Sequence, residues 1–197
     1  IFLTSSQATE MLSVQLKETK CHWVPEGVEP RYYKAYPVEK KDIDLLALGR
    51  KYELYHNQIA DFCSTKKINY LYEKIKGQLI FPTRDEFIDG LARTKISVCV
   101  PSNITHPERA GEIETMTIRY LQSMASKSLI LGTAPKEMIK LFGYNPVIEI
   151  DWENPKDQLL LILNNYKTYK PLIEKNYTNV LLHHSWEKRW QDIKEII

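Results

Sequence analysis

The chain has 197 residues, 43% of them hydrophobic and 11% aromatic, enough to bury one full core. Lys plus Arg number 27 against 25 Asp plus Glu, and the resulting formal charge of +2 argues against nucleic-acid binding through bulk charge. The longest apolar runs, such as 43–48 and 159–163, are strand-sized and far short of a membrane span. Cys21, Cys63 and Cys99 stand singly with no CxxC pair, and no leader pattern opens the chain, so reduced thiols and a cytoplasmic setting are expected. The sequence begins on the strand-like Ile1-Phe2-Leu3 without an initiator Met, which reads as a piece of a longer protein.

In chain order, IFLTSS (1–6) reads as a short buried strand whose hydroxyls cap a helix at 7–16, with Glu10 supporting the cap. KCHWVPEGVEP (20–30) is a second strand ended by Pro25 and Gly27, and the tract to Pro37 has three tyrosines and no periodicity, as a linker would. From Asp42, apolar runs alternate with amphipathic segments. They are IDLLALG, a helix at 52–66, INYLY, a strand at 78–81, a helix at 85–93, ISVCV, a helix from Ile113, SLILG, a helix at 135–142 and PVIEI. This alternation predicts an α/β fold, a Rossmann-like parallel sheet with helices on both faces and ligands at the carboxyl ends of its strands. After Ile150 the chain is expected to be helical at 155–164, 167–182 and 185–197, with His183 and His184 capping and packing the last helix.

The stretch AGEIETMTIRYLQSMASKSLILGT (110–133) is the centre of this arrangement. Ile113, Met116, Tyr120, Leu121 and Met124 follow the spacing of one helical face, which leaves Glu114, Thr115, Thr117, Arg119 and Gln122 outside it. Thr115 and Thr117 are candidate caps for a helix start whose free N–H groups and dipole suit a phosphate. Glu114 and Gln122, eight residues apart, are expected two turns apart on roughly one side; an ordinary polar surface helix would read the same way. Gly49-Arg50 is either a turn with a solvated arginine or a close backbone approach beside a guanidinium fork for phosphate oxygens. Phe81 is either core or a stacking surface, and His106, Glu108 and Arg109 either face a ligand or sit in a solvated loop. Glu108, Glu112, Glu114 and His106 match no metal-ligand spacing, and no GxGxxG occurs, so neither a metal site nor a dehydrogenase cofactor is expected.

Residues 110–133 resemble the donor-binding signature of retaining GT-B glycosyltransferases, family 4-like, in which Glu, seven residues and Glu lead into a small-residue run and an apolar strand. Glu114 takes the first acidic place, Gln122 stands at the second, and Thr115 and Thr117 replace the family's glycines. Weaker support comes from PEGV at 25–28, from Gly49-Arg50, and from HHSWEKRWQDI (183–193), which is similar to the family's terminal helix. The resemblance implies that Arg50 contacts a donor diphosphate, that His56 occupies a lysine position, and that Phe81 flanks the base. It also implies that Glu114 binds the donor sugar as the catalytic-site acid, and that Arg50 with the amides after Thr117, from Ile118 on, stabilises the leaving diphosphate, while Arg119 either supports the diphosphate or pairs with Glu114 or a nearby aspartate. Residues 1–27 would then close the first GT-B domain, 28–182 would form the nucleotide-sugar domain, and 183–197 would pack back toward the first domain.

The expected activity is glycosyl transfer from a nucleotide-sugar, with no cofactor beyond that substrate and no nucleic-acid partner. The acceptor would be a carbohydrate, lipid or small molecule, with a membrane surface open to the full-length protein, and this piece would bind donor without turnover. Two alternatives stay open: a non-catalytic sugar-nucleotide or phosphate-binding module of the same fold, for which Gln122 and His56 speak, and a nucleotide-sugar epimerase.

Overall fold

The computed structural model describes residues 1–49, 51–75 and 77–197. The chain opens with β1 (Phe2–Leu3), α1 (Ser6–Gln15) and β2 (His22–Trp23), whose two strands pair in parallel with Phe2 opposite His22. Ser5 is extended and its hydroxyl accepts from the Ala8 amide at 3.3 Å, so serine caps α1. Glu10 takes no part: it lies beyond the first turn, which holds no acidic residue.

After two short 3-10 turns the main sheet begins. Its strands are β3 (Ile43–Ala47), β4 (Tyr70–Tyr72), β5 (Thr94–Cys99), β6 (Leu129–Gly132) and β7 (Ile148–Glu149), all parallel in the order β4-β3-β5-β6-β7. The helices between them are α2 (Glu53–Thr65), α3 (Arg84–Ala92), the single turns α4 (Ser102–Thr105) and α5 (Pro107–Ala110), α6 (Ile118–Ala125) and α7 (Lys136–Phe142). α8 (Pro155–Asn164), α9 (Lys170–His183) and α10 (Trp186–Ile196) complete the chain. Among the described residues no helix is long and apolar enough to cross a membrane.

Side chains alternate across each strand, so one sheet feeds two cores. Leu45, Ala47, Ile96, Val98, Leu129 and Leu131 pack with Ile59 of α2, Ile162 of α8 and Ile173 of α9. On the other face Ile130 meets Leu121 and Met124 of α6 and Met138 of α7, while Leu46 meets Leu91 of α3. Burial on both faces explains why these strands read as continuous apolar runs. Gly132 ends β6 because a Cβ there would stand 1.7 Å from the carbonyl oxygen of Cys99.

Three expectations need correction. Residues 78–81 form no strand: Ile80 and Phe81 fold onto the Leu46–Leu91 cluster as a loop, and Pro82 has no N–H to give a ladder. The central helix starts at Ile118 and not at Ile113. The Glu114 amide is held by Gln7 Oε1 at 3.0 Å and the Met116 amide by Glu137 Oε1 at 2.5 Å, and these bonds fix 114–116 outside the helix. The helix expected from 167 begins as a 3-10 turn, Tyr166–Tyr169, and becomes α-helical only from Lys170.

The carboxyl-terminal helix is pinned to residues 25–28. The Val28 amide donates to the His184 carbonyl at 2.9 Å, and the Trp186 amide donates to Val28 at 3.0 Å. The buried Arg189 donates through Nε to the Pro25 carbonyl at 3.0 Å and through Nη2 to His184 Nδ1 at 2.7 Å. Burial, with Arg189 and His183 beside it, pushes the His184 imidazole down to about 3, so it accepts from Arg189 as a neutral ring.

Candidate functional site

The carboxyl ends of β3, β5 and β6 meet the amino end of α6. The Tyr120 hydroxyl, fully buried, reaches the Cys99 carbonyl at 3.1 Å and the Thr133 carbonyl at 2.7 Å, which clamps the first turn of α6 to the ends of β5 and β6. Arg119 completes the clamp on the third strand, where its Nη1 donates to the Leu48 carbonyl at 2.6 Å. Gly49 follows with φ +71, a left-handed conformation suited to glycine, and a Cβ there would lie 3.5 Å from Arg119 Nη1. Arg50 lies outside the described residues.

The amino end of α6 is uncapped. Thr117 occupies the N-cap with extended angles but makes no side-chain cap bond, and its buried Oγ1 has no hydrogen-bond partner among the described residues. Among the described residues the amides of Ile118 and Arg119 also have no hydrogen-bond acceptor. These donors and the positive end of the helix dipole are what an anion uses. Thr115 and Ile118 are half-buried beside them.

Three openings line this edge. One, of about 320 Å³, brings Gly49, Phe81 and Arg119 together with Glu73, Leu79 and Phe87. Its wall is largely aliphatic and aromatic, and the tip of the Phe81 ring points at Gly90, where a Cβ would stand 2.2 Å from Cζ. Phe81 is therefore both core and wall. A second, of about 490 Å³, holds Lys51, Glu73, Lys74 and His106. The third and roomiest, about 730 Å³, runs between α1 and α7 and is lined by Gln7, Glu10, Asn103, Glu112, Glu114 and Lys136, among others.

Glu114 and Gln122 do not share a helical face. Glu114 precedes α6, and its Oε2 accepts from the Lys136 amide at 3.0 Å, so it caps α7 from the wall of the third opening. Gln122 lies on α6, and its Nε2 donates to the Tyr33 hydroxyl at 2.9 Å, toward the linker. His56 also departs from expectation. It is 8% exposed on α2, its Nδ1 is 3.2 Å from the Tyr70 hydroxyl, and its ring centre is 4.5 Å from that of Tyr72. Burial first and Lys51 second lower its pKa, so it presents no charge to the edge. Lys51 does: its Nζ lies 3.5 Å from Glu53 and 5.5 Å over the Tyr72 ring.

Residues missed from the sequence include Glu137, which is 5% exposed and holds Ser6 N at 2.8 Å as well as Met116 N, tying α1, α7 and the 114–117 strap together. Its place behind Pro135 at a helix start gave no sign of this. Lys51 could have been found by its position beside Gly49. Glu108 and Arg109 face each other at 3.9 Å on the exposed α5 turn. Among the described residues no group of three His, Cys, Asp or Glu is set to hold a metal ion.

No protein-family model matches the sequence, and no curated protein matches it. Solved structures do match. HepE from Anabaena, in complex with UDP and glucose, superposes with a TM-score of 0.67 at 8% identity over 99% of this chain and 62% of that one. Sucrose-phosphate synthase from Thermosynechococcus elongatus gives 0.62 at 10% identity over 99% and 56%. A glycosyltransferase from Rickettsia africae gives 0.62 at 14% identity over 99% and 62%. The chain thus spans roughly half to three-fifths of the length of these structures. At these identities the likeness is one of fold, and by fold the chain is one half of the GT-B architecture of glycosyltransferases.

Proposed function

We propose that the chain is the donor-binding half of a glycosyltransferase and that it receives the diphosphate of a nucleotide-sugar at the amino end of α6. The observation that carries this reading is the uncapped first turn of α6 beside Arg119 and Gly49, at the carboxyl edge of a parallel sheet. Arg119 and the Ile118 amide neutralise charge growing on the leaving diphosphate, which is electrostatic catalysis with no proton transfer. The apolar opening at Leu79, Phe81 and Phe87 receives the base. Glu114, from the wall of the roomiest opening, binds hydroxyls of the sugar, and Lys51 supplies the cation that His56, at the family's lysine position, does not. Arg50, Thr115 and Thr117 complete this proposed set, transfer with retention is the expected outcome, and a carbohydrate, lipid or small molecule is the acceptor.

Titration calorimetry with UDP, UDP-glucose, GDP-mannose and ADP-glucose tests it. One of these should bind saturably, and Arg119→Ala should weaken it. A folded chain that binds none of them overturns the reading. A non-catalytic phosphate-binding module is the second reading, favoured by Gln122 being engaged by Tyr33 and by the burial of His56. It predicts that nucleoside diphosphate alone binds as tightly as the sugar conjugate.

A further inference from the structure

A separate pocket of about 400 Å³ lies at the opposite end of the sheet, where Lys41 leads into β3 and Lys127 into β6, and α9 begins across from them. Lys41, Lys127, Lys167 and Lys170 line it against two carboxylates, Glu39 and Glu174, so basic side chains outnumber acidic ones. Tyr36 and Ile173 form its apolar side.

The lysines differ in how they are satisfied. Lys41 is 5% exposed, and its Nζ donates to the carbonyls of Ala92, Thr94 and Ser126 at 2.8, 3.0 and 3.0 Å. Three acceptors match the three N–H bonds of an ammonium, while burial and then Lys127 push the group down to about 7. Lys127 pairs with Glu174 at 2.8 Å and sits 4.5 Å over the Tyr177 ring. Lys167 and Lys170 are exposed and, among the described residues, pair with no carboxylate. Lys170 is the first residue of α9, where the helix dipole is positive and a cation is disfavoured. Crowded cations at this end of a helix are relieved by a dianion seated among them.

We propose that this pocket binds a phosphate monoester, its phosphate held by Lys127, Lys167 and Lys170 and its organic part lying against Tyr36 and Ile173. A monoester carries about −1.5 to −2 of charge at neutral pH, which suits walls where lysines outnumber glutamates. The site is independent of the proposed donor edge, which lies at the carboxyl ends of the strands, so the two readings stand or fall separately.

The test is a 15N NMR titration of the chain with glycerol 3-phosphate at constant ionic strength, alongside co-sedimentation with phosphatidylcholine vesicles containing phosphatidic acid. Saturable shifts at the amides of residues 36–41, 127 and 166–170 are expected with the soluble ester. Vesicle binding that depends on phosphatidic acid, without those shifts, assigns the phosphate to a lipid and equally supports the site. In either arm the double variant Lys167→Glu/Lys170→Glu should weaken binding at least about tenfold, as loss of charge-assisted bonds does, while Arg119→Ala leaves it unchanged. No saturable response in either arm, shifts confined to residues 49 and 117–119, or wild-type binding by the double variant would overturn the proposal.

Discussion

Arg119 Nη1 donates to the carbonyl oxygen of Leu48 across 2.6 Å, joining the first turn of α6 to the end of β3. One guanidinium therefore spends a donor on the scaffold and keeps others for a ligand, and the bond fixes its plane beside Gly49. Arg119→Ala is expected to lower nucleoside-diphosphate affinity by about 1.5–3 kcal/mol, the usual worth of a hydrogen bond to a charged group. Calorimetry with the donor found to bind measures it. Unchanged affinity in a folded variant would remove Arg119 from the site.

His56→Lys is expected to destabilise the fold and not to tighten nucleotide binding. The side chain sits buried between Tyr70 and Tyr72, and a new ammonium there would lie near Lys51 and share with it the one nearby carboxylate, Glu53, among the described residues. The cost is about 2–4 kcal/mol, as for other unpaired buried charges. Urea unfolding reads it directly, and a variant as stable as the parent with higher nucleotide affinity would restore His56 to the site.

Glu114 has two roles that substitution separates. Its Oε2 caps α7 through the Lys136 amide, so Glu114→Ala should cost about 1 kcal/mol of stability, as loss of other side-chain caps does. Glu114→Gln keeps an acceptor for that amide and should retain most of the stability. If Glu114 also holds the donor sugar, Glu114→Gln should weaken a sugar nucleotide more than the free nucleotide. Equal losses for both ligands would leave the carboxylate a structural part only.

His184 makes stability depend on acidity. Its unfolded value lies near 6.5 and its folded value near 3, so between those pH values the unfolded chain takes up a proton that the folded chain refuses. The contribution is whole above pH 6.5 and is lost as pH falls toward 3, reaching about 2 kcal/mol at pH 5 from 1.36 kcal/mol per unit. His184→Gln, which keeps an acceptor for Arg189, should flatten this part of the profile. Denaturation curves at pH 7.5 and 5 on both proteins check it, and parallel losses in the two would assign the slope elsewhere.

The layered α/β design was legible in the sequence because it is written in local periodicity. Runs such as Leu45–Leu46 and Leu129–Ile130–Leu131 are apolar on both faces only where helices cover both sides of a sheet, and 99% of the chain superposes on a GT-B structure. Gly49, Phe81 and Arg119 could be named from their residue types, and their meeting in one opening was decided by the strand order β4-β3-β5-β6-β7. Periodicity also misjudged the central helix. The residues that keep 114–116 out of it, Gln7 and Glu137, are 107 and 21 positions away, and no window along the chain contains them. The partners of His56 and Gln122 were out of reach of the sequence for the same reason, since Tyr70 and Tyr33 bond them from 14 and 89 residues away. The pattern of neighbours along the chain sets which face of an element is buried. Which side chain from another element reaches a given amide, imidazole or carboxylate is set by packing, and that decides whether a group is left over for a ligand.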